Sequence, residues 1–440
     1  MGSLARHEVS ELATMESVSE QVAVEEKPKR VAGVIVAGHA FQHMYADGFL
    51  VLLPTISAAF GMNAVTEGIF SAIRQLAGGI TTMGGGFLVD TFSGKRGLLL
   101  ASSLFLMGFG YMLIGVAPNY PVLLVTVALA AAAGSFWHPV GLGILSVSFP
   151  KRRALMMAIH RSAGNIGEVV TPLLIWLALI VITWRQVLLG GFFLITAVSI
   201  ALYITLSRLG LPQQASSPRG AGSQLRSIGV LFRSRALPML MLVSGLRGMA
   251  DRGFIFFLPF YITKEVQLND PSASTLDAAG VVAYHLAIMT AMAIIVPPLI
   301  ALVADKTGRK PVMIATLIAS SFFMGMLWWV GELGWQFTAL LAIFGAFRFA
   351  VTNLTQAASL DLAEGKRLEG SMIGLLWGNN ATWGALSPVL LGTLIASFAS
   401  TANEYQMIFA YGFVLTIAAT VAGFFMVNTG RPDRDMPSNR

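Results

Sequence analysis

The sequence predicts an all-α integral membrane protein with twelve transmembrane helices in two six-helix bundles. Of its 440 residues, 55% are hydrophobic and only 12% are charged, whereas soluble globular proteins carry about 25% charged residues. About twelve apolar segments are long enough to cross a bilayer. Motifs in the second half repeat those of the first in the same order and orientation. Such a parallel repeat indicates two bundles related by a pseudo-twofold axis along the membrane normal.

The apolar segments divide the chain into two bundles joined by a basic linker. In order, the predicted parts are a cytoplasmic tail (1–30), a first bundle (31–207), a linker (208–236), a second bundle (237–428) and a second tail (429–440). Lysine and arginine collect in the tails, the linker and the loops after even-numbered helices. The positive-inside rule therefore predicts an inner-membrane protein with both termini in the cytoplasm. The chain has 0 cysteines, which excludes disulfides and thiolate metal sites.

Four pairs of motifs carry the internal repeat. Each pair has one member in each half and matches in residue types and in position along the bundle. The pairs are 46–54 with 250–259, 134–139 with 345–350, 163–167 with 377–381, and 86–97 with 301–310.

The last pair contains a D-x-x-G-R-K loop after helices two and eight, and with twelve helices it resembles the major facilitator superfamily. The stretch GHAFQHMY at 38–45, the HP pair at 138–139 and the GN-x-G at 164–167 look like the branch that contains fosmidomycin-resistance efflux proteins. The resemblance implies secondary active transport by alternating access, with a cavity lined by helices one, four, seven and ten. It also implies a gating role for the loop residues, which otherwise would only set topology. These residues are Asp90, Lys95, Arg96, Asp305, Arg309 and Lys310.

The sequence also departs from the family pattern. The first loop has one extra residue between Asp90 and Gly94. Helix four carries His138 where the family often has an arginine linked to proton coupling. Helix five reads GNIGEVVTP and lacks the G-P-x-x-G-G run of many antiporters. The direction of transport is therefore open at this point.

A polar stripe in helix one is the first candidate site. His39, His43 and Asp47 recur at i, i+4 and i+8, so they share one helix face. Polar groups at bilayer depth face a bundle interior or water, and histidine changes charge in the physiological range. We therefore predict His39, His43, Asp47 and, in helix seven, Asp251 as proton-coupling residues. The alternatives are hydrogen-bonded core histidines or ligands for zinc, iron or nickel; no resident metal is predicted, because nearby arginines repel a cation.

Eight charged residues lie inside the predicted spans. Each costs about 2.5–3.5 kcal/mol on a lipid-exposed helix, so these residues are expected to pair or to line a wet cavity. They are Arg74, Arg161, Arg247, Arg252, Arg348, Asp47, Glu168 and Asp251. Positive groups outnumber negative ones, which favours an anion, and arginine offers bidentate donors to phosphonates or carboxylates. The alternatives are structural ion pairs, such as Arg247 with Asp251, and snorkelling of Arg161 to the cytoplasmic surface.

The predicted substrate-binding residues combine these charges with histidines and asparagines in the spans. For the asparagines, contacts between helices are an equal alternative. The set comprises Arg74, His138, His160, Arg161, Asn165, Glu168, Arg247, Arg252, His285, Arg348, Asn379 and Asn380.

The sequence favours a carrier over an enzyme. It contains no catalytic constellation and no P-loop, so the sequence does not favour ATP-driven transport by this chain, and no cofactor is predicted. We predict proton-coupled export of a small compound, with an anion favoured. The alternatives are uptake of an organic or inorganic anion, transport of a transition metal such as iron or its chelate, and a transporter-like sensor without flux. The expected partners are the small-molecule substrate, protons and the lipid bilayer, without nucleic acid and without a required oligomer.

Overall fold

A computed structural model describes residues 27–91, 93–149, 153–211, 229, 232, 235–363 and 369–430. These residues form twelve long helices and contain no strand. The helices are α1 (27–48, continuing through a 3-10 turn at Phe49–Leu52 into Leu53–Phe60), α2 (Ala64–Thr91), α3 (Arg96–Val116), α4 (Tyr120–Ser135 and Trp137–Ser148), α5 (Arg153–Leu179), α6 (Trp184–Leu209), α7 (Ala236–Asn269), α8 (Thr275–Thr307), α9 (Arg309–Val330), α10 (Trp335–Ala363), α11 (Glu369–Ser397) and α12 (Met407–Phe424). Most of the predicted linker and tails lies outside the described residues.

Eight of these helices are long and apolar enough to cross a membrane by length and composition alone: α3, α4, α5, α6, α8, α9, α10 and α12. The other four, α1, α2, α7 and α11, carry many of the intramembrane polar groups singled out above. The charged, imidazole and amide side chains on these four helices fit segments that face a polar interior as well as lipid.

Prolines explain the two interruptions inside α1 and α4. Pro54 has no N–H for the carbonyl of Leu50, and that carbonyl instead accepts from the Leu53 N–H in a 3-10 turn. Pro139 in the same way removes the donor for the carbonyl of Ser135, where the first segment of α4 ends. Both interruptions lie close to polar residues of the bundle interior.

The two halves meet along α2 with α11 and along α5 with α8. A Cβ on Gly68 would lie 2.3 Å from the carbonyl oxygen of Pro388, and a Cβ on Gly392 would lie 2.2 Å from that of Ala64. Only glycine permits backbones to approach so closely. The halves are therefore in direct backbone contact along part of this interface.

We use two names for the ends of the bundle. The basic end carries the connections after α2, α4, α8 and α10, and the outer end carries the connections after the odd-numbered helices. At the outer end the segment Leu53–Phe60 packs against α7 and α8, and the tilted rings of Phe70 and Phe256 lie with their centroids 6.4 Å apart. These contacts between halves close the outer end.

Candidate functional site

The polar stripe of α1 meets α5 in the middle of the first half. Nδ1 of His43 lies 2.7 Å from Oδ2 of Asp47 and 3.0 Å from Oε1 of Glu168. The guanidinium of Arg161 lies 3.1 Å from the same Glu168 oxygen. One imidazole therefore bridges two carboxylates, and one arginine holds the second of them. A proton can reside on any of these three acceptors without a large movement.

Three further imidazoles extend this cluster. His39 stacks on His160 with ring centroids 3.6 Å apart, and it lies 5.3 Å from His138 and 4.6 Å from His43. The space for these rings depends on Gly164 of α5, because a Cβ there would lie 2.7 Å from Cδ2 of His43 and 2.8 Å from Cε1 of His39. The first glycine of the GN-x-G motif therefore leaves room for the two histidine rings.

Several ring nitrogens of the cluster are buried without a hydrogen-bond partner among the described residues. They are Nε2 of His39, Nε2 of His43 and both nitrogens of His160. Nδ1 of His39 lies 2.6 Å from the carbonyl oxygen of His160, so it carries the proton and leaves Nε2 as a bare acceptor. Water or a polar ligand group would satisfy these atoms.

Two sets of side chains are close enough to hold a metal ion. Ring nitrogens of His39, His138 and His160 lie within 4.8 Å of one another, as do the ligand atoms of the set formed by His43, Asp47 and Glu168. Borderline divalent metals accept such ligands. The Arg161 guanidinium and the excess of arginine around these sets disfavour a divalent cation.

The second half presents an arginine-rich counterpart. The Asp251 carboxylate accepts from Nε of Arg348 and lies 3.5 Å from the guanidinium of Arg247. Arg247 also donates to the backbone carbonyl of Arg348 at 2.7 Å. Arg247 precedes Asp251 by four residues on α7, and His43 precedes Asp47 by four residues on the equivalent helix α1. The two pairs therefore occupy equivalent positions in the two halves.

A cavity of about 20 Å³ lies beside this triad, lined by polar Ser320 and Thr416 together with apolar side chains. That volume holds one or two water molecules. The triad therefore borders a space of molecular size, although its side chains are about nine-tenths buried.

Phe349 of α10 lies between the two charged clusters. The guanidinium of Arg348 lies 4.5 Å from the centre of its ring, and that of Arg161, from the other half, lies 5.7 Å from it. His138 makes a similar contact across the interface, with its ring 5.4 Å from that of Trp377. Phe349 and Trp377 were not predicted as site residues.

Of the five arginines inside the predicted spans, Arg74 and Arg252 are the two with no carboxylate within 4.0 Å among the described residues. Arg74 donates to the carbonyl of Ala46 at 2.6 Å, directly before Asp47. Arg252 is exposed, and its charge interacts with those of Arg74 and Asp47. The two arginines come from different halves, and the acidic charges that act most on Arg252 are those of Asp251 and Asp47, neither of which forms an ion pair with it within 4.0 Å among the described residues.

His285 is not brought to this cluster. Its Nδ1 lies 2.7 Å from the carbonyl oxygen of Val281, and its Nε2 lies 3.1 Å from the hydroxyl of Thr338. It packs between α8 and α10 towards the outer end, with both nitrogens partnered.

The asparagines differ in role. Asn379 donates to the carbonyl of Met241 at 2.9 Å, and Asn380 accepts from Ser244 at 2.7 Å, so both join α11 to α7. Asn165 is buried on α5 with its carbonyl oxygen unpartnered among the described residues. Of the three, Asn165 has an acceptor left for a ligand.

The loop residues form a network at the basic end of the second half. Arg309 pairs with Asp305 and lies 3.2 Å from the carboxylate of Asp361. The backbone N–H of Lys310 donates to Asn428 at 3.0 Å. The network thus joins α8, α9, α10 and the segment after α12.

In the first half, Lys95 is exposed and Arg96 is buried at the start of α3. Asp90 lies in α2, but its side chain is outside the described part of the structure.

Residues 35–388 match the family model of the Major Facilitator Superfamily. The chain is 22% identical over 380 residues to the fosmidomycin resistance protein of Escherichia coli K12, covering 86% of this chain and 89% of the relative. It is 27% identical over 217 residues to an uncharacterized MFS-type transporter of Mycobacterium tuberculosis H37Rv, covering 48% of this chain and 49% of that protein.

Two solved structures have a similar fold. The nucleoside transporter NupG superposes with a TM-score of 0.71 at 12% identity, covering 90% of this chain and 98% of that chain. A bacterial homologue of the human lysosomal transporter Spinster, inward-facing and occupied, gives a TM-score of 0.69 at 14% identity, covering 90% and 95%. At these identities the likeness concerns the fold.

Proposed function

The chain belongs to the Major Facilitator Superfamily, and on that premise we propose that it carries a small organic anion together with a proton. Membership confirms the predicted twelve-helix fold and the prediction of a transporter in place of an enzyme. It also makes the protein a multi-pass secondary transporter of a small molecule. The nature of the substrate, the proton coupling and the direction are the proposal.

The proposal of an anionic substrate rests on the pair Arg74 and Arg252. They come from opposite halves, lack a carboxylate partner within 4.0 Å among the described residues, and are close enough for their charges to interact. Two arginine charges that interact repel each other, and an anion bound between them offsets this repulsion. A carboxylate or phosphonate with two acceptor oxygens matches both guanidinium groups.

The coupling proton is assigned to the group of His43, Asp47 and Glu168. An ionised Asp47 attracts Arg252 and so competes with the substrate anion for it. A proton taken up by the group reduces that competition, and an anion bound by the arginines is in turn favoured by the added positive charge. Proton and anion therefore bind cooperatively, which is the requirement for their transport in the same direction.

Export is the second candidate. It is favoured by the relative from Escherichia coli, which is named for fosmidomycin resistance. Export against an inward proton gradient requires proton and substrate to exclude each other, and a cationic or neutral substrate would meet that requirement better than an anion. The metal alternative is opposed by the arginines around both possible ligand sets.

The test is flux into proteoliposomes with an imposed pH gradient and a pH-sensitive dye inside. Phosphonates, carboxylates, nitrate and ferrous iron would be offered in turn. We expect an anion to enter together with protons, and we expect Asp47→Asn to abolish the proton movement while anion binding is retained. Asp270→Asn, at an exposed carboxylate in the α7–α8 connection, is the matched control.

Each other outcome has a defined meaning. Proton exit during substrate entry would replace symport by exchange. Anion flux without proton movement would show that transport is not coupled to protons. Flux of iron alone would overturn the anion proposal and make the imidazole cluster a ligand set. Substitution of Arg74 or Arg252 by glutamine is expected to raise KM for the anion about tenfold to a hundredfold, because each loses a charge-assisted bond of about 1.5–3 kcal/mol.

The orientation of the chain belongs to the same proposal. The distribution of lysine and arginine supports a basic end in the cytoplasm and an outer end on the far side of the inner membrane. Because the chain has 0 cysteines, single cysteines give an unambiguous label. A cysteine at Ser400 is expected to react with an impermeant thiol reagent added outside cells, and a cysteine at Lys306 is expected to be protected. The reverse pattern would invert the orientation.

A further inference from the structure

Glu67 is a buried carboxylate that joins the two halves at the outer end. It lies in the first turn of α2 with 2% of its surface exposed. Oε1 accepts from the Ser57 hydroxyl of α1 at 2.6 Å, and Oε2 accepts from the Tyr405 hydroxyl at 3.0 Å. Tyr405 belongs to the second half, in the connection between α11 and α12. The carboxylate is therefore a direct polar link between halves.

No positive side chain neutralises this carboxylate within 4.0 Å in the described part of the chain. Besides the Tyr405 hydroxyl, the titratable groups that face it are Glu404, whose charge repels it, and Tyr120 of α4, whose hydroxyl donates to the backbone. Lys264 of α7 lies 3.9 Å from Glu404 and is paired there. The favourable electrostatic contribution to ionised Glu67 comes from the two hydroxyls and from the N-terminal end of α2.

The surroundings exclude water while the outer end is closed. The next residue, Gly68, is in backbone contact with Pro388, and Phe70 lies near Phe256 across the interface. Removing an ionised carboxylate from water without a cation is strongly unfavourable, whereas removing a neutral carboxyl is much less so. Opening of the outer end would return Glu67 to water, and the ionised carboxylate would then no longer be disfavoured relative to the neutral carboxyl.

The hydrogen bonds around Glu67 suit the protonated form as well as the ionised one. A hydroxyl rotates freely and both donates and accepts. With a proton on Oε1, the Ser57 oxygen accepts it, and Tyr405 continues to donate to Oε2. Protonation therefore removes the buried charge without breaking the link between halves.

We propose that Glu67 is a second proton-binding site, which takes up a proton when the outer end closes and releases it when the outer end opens to water. The site is separate from the group of His43, Asp47 and Glu168, and it does not depend on the proposed substrate. Its ligand is a proton, and its effect is to make closure of the outer end more favourable as the pH falls. For one proton, the ratio of closed to open molecules changes at most about tenfold per pH unit.

The test measures the opening of the outer end directly. Cysteines at Val181, which is 82% exposed, and at exposed Ser400 place one spin label on each half. Distances between the labels would be measured by double electron–electron resonance without substrate, at about pH 8 and at about pH 5. We expect the short-distance population to rise at least threefold relative to the long-distance one on acidification, and Glu67→Gln to give the closed distance at both pH values.

Matched variants separate this site from its surroundings. Glu404→Gln removes a neighbouring carboxylate that Ser57 and Tyr405 do not bind, and it is expected to retain the pH response. Asp47→Asn also retains it, because that residue lies in the central group. Tyr405→Phe keeps the ring and the titrating carboxyl but removes the link, so the closed population falls while its dependence on pH remains.

A second readout does not depend on the conformational equilibrium. Infrared difference spectra between the two pH values are expected to contain a band of a buried protonated carboxyl that is absent in Glu67→Gln and present in Glu404→Gln. A pH response that is unchanged in Glu67→Gln would overturn the proposal. So would a closed protein whose spectrum lacks that band, or a response that Asp47→Asn abolishes. If Glu67→Gln does not fold, the spectra of the unmodified protein and of Tyr405→Phe decide, because both keep the carboxyl.

Discussion

Gly68 of α2 and Pro388 of α11 are in contact through their backbones, so close that a Cβ on Gly68 would lie 2.3 Å from the Pro388 carbonyl oxygen. The contact lies towards the outer end, one residue after Glu67. The main chains of the two halves therefore touch at this point. Any residue larger than glycine at position 68 would hold the halves apart.

We expect Gly68→Val to keep the outer end open and to reduce transport more than tenfold, because the added methyl groups occupy the position of the Pro388 carbonyl. Gly84→Ala is the matched control on the same helix, since nothing lies within 4 Å of a Cβ there. The measurement is reactivity of a cysteine at Ser400 together with flux in proteoliposomes. Equal flux in Gly68→Val and Gly84→Ala would show that α2 and α11 do not need this contact.

Gly164→Ala is expected to disturb the imidazole cluster. The new methyl group would lie 2.7 Å from His43 and 2.8 Å from His39, so the two rings must move and His43 loses its geometry to Asp47 and Glu168. We expect proton-coupled flux to fall at least tenfold and the free energy of unfolding to fall by about 1–3 kcal/mol, because both rings are buried and the added methyl group overpacks them. Gly143→Ala, where nothing lies within 4 Å, is the control. Full coupling in Gly164→Ala would mean that the position of His43 is not critical.

Asp251→Asn is expected to destabilise the protein. It leaves Arg247 and Arg348 without their shared carboxylate, and removing one partner of a buried ion pair costs about 3–5 kcal/mol. The measurement is the thermal unfolding midpoint in detergent. Adding Arg247→Gln is expected to restore part of the stability, because one unpaired charge is removed. A double variant no more stable than Asp251→Asn would argue against charge as the cause.

Arg309→Gln is expected to loosen the basic end of the second half. Arg309 binds carboxylates of α8 and α10, and its backbone N–H donates to the carbonyl of Thr429 after α12. A partly exposed pair network of this kind contributes about 1 kcal/mol. Limited proteolysis is expected to cut the segment after α12 faster in this variant than in Lys306→Gln, whose lysine is exposed. Equal cleavage rates in the two variants would show that the backbone hydrogen bond from Arg309 to Thr429 alone holds the segment after α12.

The number of helices, the internal repeat and the polar stripe of α1 could be predicted because each depends on patterns that are local in the sequence. His43 with Asp47 and Arg247 with Asp251 are pairs at i and i+4, and the structure has both. Apolar periodicity and length are strong signals in a membrane because lipid leaves few alternatives to a helix.

Contacts between helices far apart in sequence could not be predicted in this way. Glu168 joins His43 and Asp47 from α5, and Phe349 lies beside arginines of both halves, but no spacing reveals either contact. The repeat offered one signal, since Phe349 aligns with His138. Glu67 was missed because it sits one turn into its helix, where a carboxylate is expected to face water and to cap the amides.

The backbone contact of Gly68 with Pro388, and that of Gly392 with Ala64, also bears on leakage. Long side chains can rearrange to fill a gap, but a main-chain contact cannot, so at these two points the barrier to ions depends on the separation of α2 and α11. A separation of about 3 Å, the width of one water molecule, would wet the turn of α2 from Ala64 to Gly68 at once. Conductance through the outer end should therefore switch between none and full, without graded intermediate levels, when single proteins are recorded in a planar bilayer.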